Sequence, residues 1–224
     1  MTPHAPSLFH AVPGDHICSI YRTDADQRGI AFDLVRGGVD QGHKIIYIVA
    51  AHTAAGLGET LKTSGIDVEG LVAKGQLVLL TAKEAYLDDG EFKPLKMIDL
   101  LMAEEKKALD AGFPALRLTG EMVWALAGEP GSELLTEYEA MLSQFYPQSR
   151  CYGICQYDRR LFDSEVLLEI LYTHPKVLTN RVLYDHGRMY FLPPEWFLSR
   201  DRQGALLDRF LVNLAEHRAT GSWS

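Results

Sequence analysis

Cysteine is scarce in this sequence, and long hydrophobic runs are missing. The 224 residues include three cysteines, Cys18, Cys151 and Cys155, and an odd number cannot all pair in disulfides. So low a count favours a reducing compartment, where thiols stay free. No apolar run approaches the roughly 20 residues that cross a bilayer, and residues 1–15 lack the pattern of a secretory signal. We therefore expect a cytoplasmic protein that contacts no membrane.

Positive charge is also in short supply. The 22 Lys and Arg residues are outnumbered by 30 Asp and Glu residues, which gives a formal net charge of −8. A surface that binds a phosphate backbone needs clustered cations, whereas the cations here are scattered along the chain. The sequence therefore predicts no direct contact with nucleic acid, and any role in gene regulation would require a partner.

Familiar catalytic motifs are absent from the chain. It contains no G-x-S-x-G, HExxH, CxxC or GxGxxG string, so we expect no enzymatic activity, no cofactor and no metal centre. Cys151 and Cys155 lie four residues apart on one predicted strand, roughly 13 Å, which is too far to share an ion. A soft metal site formed by His16 with Cys155 is a minor alternative.

Patterns typical of buried strands and amphipathic helices alternate along most of the chain. This order predicts a three-layer α/β fold with a mainly parallel sheet between helices. The predicted strands are 16–21, 44–50, 76–80, 114–119 and 150–157, and the predicted helices are 24–40, 53–64, 94–111, 132–145, 163–173 and 202–218. Residues 182–184 and 189–192 are predicted to pair as an antiparallel edge hairpin. The length favours one domain over 1–224, with its core at about 14–194.

The turn after the 44–50 strand is where a nucleotide-binding fold would carry its phosphate loop. A Walker A loop, G-x-x-x-x-G-K-[ST], directs its lysine at the phosphates. Aligning Gly58 and Thr60 with the end of that motif puts Thr53 at the first glycine and Glu59 at the lysine. Because a carboxylate repels phosphate, we predict an ordinary loop here, with nucleotide binding as the alternative.

Candidate ligand-binding side chains gather near the predicted strand ends. In doubly wound sheets the ligand sits beyond the carboxyl ends of the strands, and Glu121 and Asp158 follow two of them. Helix capping is the alternative for Asp158 and Asp163, and a structural core position is the alternative for His16. The predicted ligand-binding residues at this edge are His16, Cys18, Tyr21, Glu121, Trp124, Cys155, Tyr157 and Asp158. Their thiols and aromatic rings could equally be ordinary core.

Several short strings follow one another in order over about 160 residues. They are His16-x-Cys18-x-x-Tyr21, Lys44-x-x-Tyr47-Ile48, Gly75-Gln76-Leu77, Leu118-Thr119-Gly120-Glu121-Met122-x-Trp124-Ala125, Tyr138-Glu139, Cys155-x-Tyr157-Asp158 with Phe162, and His174-Pro175. Together they resemble the MEDS domain, a sensory domain associated with methanogens, methylotrophs and the dichloromethane-responsive regulator.

The resemblance implies a fold related to the RecA and KaiC group, without a functional phosphate loop. It also implies a non-catalytic sensor in signal transduction or transcriptional regulation that binds a small organic ligand, a simple hydrocarbon derivative. Output would pass through a regulatory partner or a homodimer, for which Leu206, Phe210 and Leu214 offer an apolar stripe. Two alternatives stay open: a RecA/KaiC-like ATPase with a degenerate loop, and an interaction protein without a ligand.

Overall fold

A central sheet organises the part of the chain that the structure describes. This computed structural model describes residues 11–50, 54–87, 90–185 and 190–220. The strands are β1 (His16–Tyr21), β2 (Lys44–Val49), β3 (Leu77–Thr81), β4 (Leu116–Glu121), β5 (Cys151–Asp158), β6 (Lys176–Thr179) and β7 (Val182–Asp185). Their order is β3-β2-β4-β5-β1-β6-β7, with parallel pairs up to β6 and an antiparallel pair β6-β7. The predicted mainly parallel α/β fold is confirmed.

Helices cover both faces of this sheet. They are α1 (Asp24–Asp40), α2 (Ala54–Thr63), α3 (Val68–Ala73), α4 (Ala82–Tyr86), α5 (Pro94–Asp110), α6 (Leu135–Phe145), α7 (Ser164–Thr173), α8 (Pro194–Phe197) and α9 (Arg202–Thr220). Apolar side chains of α1, α2 and α3 pack on the face that carries Ile45 and Ile154. Helices α4 to α7 pack on the opposite face, which carries Ile46 and Leu118. Because both faces are covered, β2 and β5 are buried along their length.

Local sequence signals set the starts of two long helices. The Thr23 side chain accepts a bond from the Asp26 amide, and the Asp26 carboxylate accepts one from the Thr23 amide. This capping box begins α1 at the predicted residue. Pro94 occupies the first turn of α5, also as predicted. The helix predicted over 132–145 instead opens with a 3-10 turn, Ser132–Leu134, before α6.

The antiparallel hairpin lies at the predicted edge of the sheet, but its strands differ from those predicted. Strand β7 pairs with β6, so the predicted pairing of 182–184 with 189–192 is wrong. Asn180 and Arg181 form the two-residue connection, with positive φ angles of 49° and 61°. This is the backbone pattern of a type I′ hairpin turn, which matches the twist of the flanking strands. Residue 189 lies outside the described residues, and 190–192 form no strand.

The last helix, α9, lies at the surface. Leu206 is partly buried, Phe210 is exposed, and the side chain of Leu214 lies outside the described residues. Exposed Leu207 and Leu211 lie beside them on the helix, so α9 presents apolar surface to the solvent. Within the described ranges, no helix combines the length and the apolar character needed to cross a membrane.

Candidate functional site

A group of buried polar side chains lies between the sheet and α6. We call His16, Glu139, Cys155 and His174 the Glu139 cluster; they come from β1, α6, β5 and the residue after α7. The register of β1 on β5, with Cys18 beside Cys155, turns His16 and Cys155 to the same face. Nε2 of His16 lies 3.1 Å from Oε2 of Glu139 and 3.7 Å from Sγ of Cys155. Nε2 of His174 lies 3.3 Å from the same Glu139 oxygen.

Neighbouring groups orient the members of the Glu139 cluster. Nδ1 of His16 lies 2.7 Å from the hydroxyl of Ser143, which itself donates to the carbonyl of Thr173. Nδ1 of His174 lies 2.8 Å from the carbonyl oxygen of Ile170. The hydroxyl of Tyr157 donates to Oε1 of Glu139, leaving Oε2 turned towards the two histidines.

Burial dominates the electrostatics of this cluster. It lowers the pKa of His16 to about 4, with a further contribution from His174, so this imidazole is neutral at pH 7. Burial alone would raise the pKa of the Glu139 carboxyl, but His174 and His16 hold that pKa below its usual range. Burial also raises the pKa of the Cys155 thiol. Glu139 is therefore an ionised carboxylate inside the core.

A second buried network lies on the opposite face, at the carboxyl ends of β2 and β4. Oε1 of Glu121 accepts from Nε2 of Gln27 at 2.9 Å and from the hydroxyl of Tyr47 at 3.3 Å. Its other oxygen accepts from the amide of Ala50 at 2.8 Å. Nε2 of Gln156 donates to the hydroxyl of Tyr47 at 3.1 Å. Glu121 therefore ties α1 to the ends of two central strands.

Aromatic rings pack together just beyond β4. We call Tyr86, Phe92, Trp124 and Tyr138 the aromatic cluster. Trp124 stacks on Tyr86 with ring centroids 4.7 Å apart, and Phe92 lies 4.7 Å from Trp124 and 5.2 Å from Tyr138. All four rings are buried. The indole nitrogen Nε1 of Trp124 is also buried, and it has no hydrogen-bond partner among the described residues.

The structure does not bring the eight predicted ligand-binding residues together. One face of the sheet carries four of them: His16, Cys18, Cys155 and Tyr157. The opposite face carries Tyr21, Glu121 and Asp158. Trp124 lies in the 3-10 turn after β4. His16 begins β1, so it lies at the amino end of the sheet and not at the predicted carboxyl edge. Ligand contact by these residues stays a prediction.

The two aspartates considered as helix caps have different roles. Asp158 accepts bonds from the amide and the guanidinium of Arg160, and Arg160 also reaches Asp24 at 2.6 Å. These bonds lower the pKa of the Asp158 carboxyl and hold the loop after β5 against α1. Asp163 occupies the cap position of α7, but within the described structure its side chain forms no capping bond.

Sequence reasoning about individual residues missed Glu139, His174, Ser143 and Gln27. Glu139 did carry a signal, because it lies on the apolar side of α6, four residues after Leu135 and three before Leu142. A carboxylate at such a position must find buried partners, and the polar residues that supply them follow no local pattern.

Helix α2 carries the residue that aligns with the lysine of a phosphate loop. Glu59 is exposed on α2, and the nearby Lys62 pairs with Glu69 at 2.6 Å. Residues 51–53, including the predicted first loop position at Thr53, lie outside the described residues.

These features define an α/β protein of the KaiC-like fold with buried polar and aromatic sites. Over 79% of this chain and 78% of the other, the structure resembles a KaiC-like protein from the hyperthermophilic archaeon Pyrococcus horikoshii OT3, with a TM-score of 0.56. The two sequences are 11% identical, so this likeness concerns the fold alone. The predicted RecA/KaiC-like fold is confirmed.

Residues 15–175 match the family described as the methanogen/methylotroph, DcmR sensory domain, and the chain belongs to this MEDS family. The transcriptional repressor DcmR of Methylorubrum extorquens (strain DSM 6343 / CIP 106787 / DM4) is 29% identical to it over 164 residues. That alignment covers 71% of this chain and 58% of the repressor, so the chain spans little more than half of the repressor's length. A sensory or regulatory role is therefore supported.

Proposed function

We propose that this chain is a non-catalytic sensor whose ligand is a small, mostly apolar organic molecule bound at the aromatic cluster. Membership of the MEDS family over residues 15–175 supports the sensory role, and similarity to a transcriptional repressor supports a regulatory output. The observation that carries the choice of site is the indole N–H of Trp124, which is buried without an acceptor among the described residues.

The chemistry of the aromatic cluster suits a simple hydrocarbon derivative. Leaving a buried donor unpaired costs about 1–3 kcal/mol, so a ligand that accepts from the indole recovers part of that free energy. Aromatic faces around the donor favour an apolar body over a charged one. A halocarbon, ether, ketone or alcohol combines a compact apolar body with one weak acceptor.

A surface groove offers a route to the aromatic cluster. It has a volume of about 390 Å³ and is lined by α4, α5 and the segment between them. Its apolar lining residues are Ala85, Tyr86, Met97 and Leu100, and its charged ones are Glu84, Glu91, Lys93, Lys96 and Asp99. Tyr86 belongs to both the groove and the cluster, so moving its ring would connect the two. Volumes of this order are typical of small-molecule sites. The cluster also follows β4 at the carboxyl edge, where ligands bind in related sheets.

Signalling requires that the ligand bind two conformations with different affinities. We propose that the Tyr86 ring and the 3-10 turn that carries Trp124 differ between the two states. Output then passes to a partner protein or a second copy of the chain. The exposed apolar residues Leu207, Phe210 and Leu211 of α9 are our candidate contact surface for that step.

Thermal-shift titration tests this function. Dichloromethane and short-chain alcohols and ketones are added to the protein, and a true ligand raises the melting temperature with its concentration. Trp124→Phe keeps a ring but removes the N–H, so we expect it to weaken binding by about 3- to 10-fold. Trp196→Phe, in the partly exposed helix α8, is the matched control and should behave like the wild type.

Four outcomes would contradict the proposal. Equal responses of the wild type and Trp124→Phe would remove the aromatic cluster as the site. Micromolar binding of Mg-ATP by isothermal titration would favour the ATPase alternative. No response to any compound at millimolar levels would favour an interaction protein. Gas chromatography of a sealed sample measures whether a bound compound is consumed, and its consumption would show that the protein is an enzyme.

A further inference from the structure

We propose that the Glu139 cluster is a zinc site in which four protein side chains supply every ligand. Nε2 of His16, Nε2 of His174, Sγ of Cys155 and one oxygen of Glu139 all lie within 4.8 Å of one another. The four side chains are buried and come from four separate parts of the chain. The site goes beyond the proposed sensor function and does not depend on it.

Hydrogen bonding fixes which nitrogen of each histidine is free to bind a metal. Ser143 donates its one hydroxyl proton to the carbonyl of Thr173, so it accepts from Nδ1 of His16. The carbonyl of Ile170 can only accept, so Nδ1 of His174 donates to it. A histidine that binds a metal is neutral, so its other nitrogen then carries a lone pair. In that metal-binding state both Nε2 lone pairs face the Glu139 carboxylate.

With both imidazoles neutral, the two Nε2 atoms and the Glu139 carboxylate are all hydrogen-bond acceptors that face one point. The cluster then holds too few hydrogen-bond donors to pair them. Nε2 of His174 lies 3.3 Å from Oε2 of Glu139, yet it has no hydrogen-bond partner within the described part of the chain. Nε2 of His16 approaches the same oxygen at 3.1 Å. The single thiol proton of Cys155 cannot serve both histidines. A cation between the four atoms turns these acceptor contacts into ligand bonds.

Three of the six distances within the cluster are close to those of a tetrahedral zinc site. With bonds of about 2.0–2.1 Å to nitrogen or oxygen and about 2.3 Å to sulfur, ligand atoms at the corners lie about 3.3–3.6 Å apart. These three are His16 to Glu139 at 3.1 Å, His174 to Glu139 at 3.3 Å and His16 to Cys155 at 3.7 Å. Small side-chain movements would bring the remaining pairs, at up to 4.8 Å, into the same range.

Charge and donor type point to the same metal. Two imidazoles, a thiolate and a carboxylate form the mixed nitrogen, sulfur and oxygen set that Zn²⁺ accepts. One Zn²⁺ ion balances the charges of the Cys155 thiolate and the Glu139 carboxylate, so the buried site becomes neutral. Ser143, Tyr157 and the carbonyl of Ile170 form the outer bonds that orient metal ligands in proteins.

Four protein ligands leave no open position for a substrate, so the ion would be structural. It would join β1 and β5 to α6 and to the start of the edge hairpin, which begins two residues after His174. Binding would release the thiol proton of Cys155 to the solvent, which balances the charge of the step.

Metal analysis of the whole chain tests the site, with two cysteine variants as a matched pair. The protein is produced in zinc-supplemented medium, purified without chelator and analysed by mass spectrometry for metals, and a second sample is loaded with Co²⁺. Cys155→Ala removes a proposed ligand, whereas Cys151→Ala removes an equally buried thiol from the same face of β5. Both variants lose a thiol from the core.

We expect one zinc ion per chain in the wild type and in Cys151→Ala. Their cobalt forms should show a thiolate-to-cobalt charge-transfer band in the near ultraviolet, and Cys155→Ala should lose that band and most of its zinc. Wild-type protein that holds no zinc and gives no cobalt band would overturn the proposal, whether or not the variants fold. Equal spectra from Cys155→Ala and the wild type would also overturn it. In either case the cluster is a protonated hydrogen-bond network.

Discussion

Arg117 shows how single residues constrain this fold. Its guanidinium is fully buried, donates to Nδ1 of His43 and the carbonyl of Leu34, and lies 4.6 Å from the ring of Tyr152. Burial lowers the pKa of this guanidinium to about 10, which still leaves it charged at pH 7. Because Nδ1 of His43 accepts a hydrogen bond from Arg117, that nitrogen carries no proton in the folded state.

Gly38 provides a first prediction at this scale. A Cβ there would lie 2.6 Å from the buried side chain of Ile45, so Gly38→Ala should destabilise the protein by about 1–3 kcal/mol. Gly58→Ala is the control, because its Cβ would meet Val68 at 3.9 Å, ordinary contact, and alanine favours a helix by up to about 1 kcal/mol. Urea unfolding measures the change in the free energy of unfolding for both variants. Equal effects of the two substitutions would contradict the packing described.

His43 predicts a dependence of stability on pH. Burial, with Arg117 and Arg150 nearby, lowers its pKa from 6.5 to about 4. Between these values the unfolded chain binds a proton that the folded chain does not, so stability falls as the pH falls through this window. Comparing urea midpoints at pH 7 and 4.5 should give a smaller loss for His43→Asn, which keeps an acceptor but cannot titrate. An identical loss would show that folding does not lower the pKa of His43.

Among the secondary-structure elements, those with strong local signals were predicted well. Helix α1 agrees at both ends, and its capping box accounts for the start. The buried strands agree to within two residues because both of their faces are covered by helices. The partner of β7 was predicted wrongly because β6 is four residues long and follows Pro175 directly. The Glu139 cluster draws on residues up to 158 positions apart, from His16 to His174, so no local pattern could place them together.

The turn between β6 and β7 gives a prediction about the stability of this hairpin. Asn180 has a φ of 49°, a region that asparagine and glycine tolerate better than alanine. Asn180→Ala should therefore lower the free energy of unfolding by about 1 kcal/mol. Asn180→Gly should leave it nearly unchanged, since glycine adopts this conformation without strain. Thermal unfolding of the pair tests the turn, and an alanine variant as stable as the glycine variant would argue against it.

On the scale of the whole molecule, the fold and the family rest on two different comparisons. The sheet resembles that of a KaiC-like protein at 11% identity, whereas the family match over 15–175 concerns a sensory domain. The loss of the phosphate loop, argued from Glu59, stays a prediction. The aromatic cluster could not be predicted, because Phe92 and Tyr138 reach Trp124 from separate elements.

Nucleotide binding supplies a prediction for the whole chain. We expect no binding of Mg-ATP by isothermal titration at millimolar concentration, because Glu59 is acidic and Lys62 is engaged by Glu69. Glu59→Lys alone should not create a site, since Thr53 still stands where the motif requires glycine. Saturable binding by the wild type would contradict the proposed loss of this function.

The central claim, that a small apolar molecule binds by accepting from Trp124, can be observed directly by nuclear magnetic resonance. A proton–nitrogen spectrum of labelled protein reports the indole N–H of each of the three tryptophans, and Trp124→Phe assigns the relevant signal. On addition of dichloromethane or a short-chain ketone, we predict a saturable shift of the Trp124 signal while that of Trp196 stays in place. A Trp124 signal that does not move with any of these compounds would contradict the account.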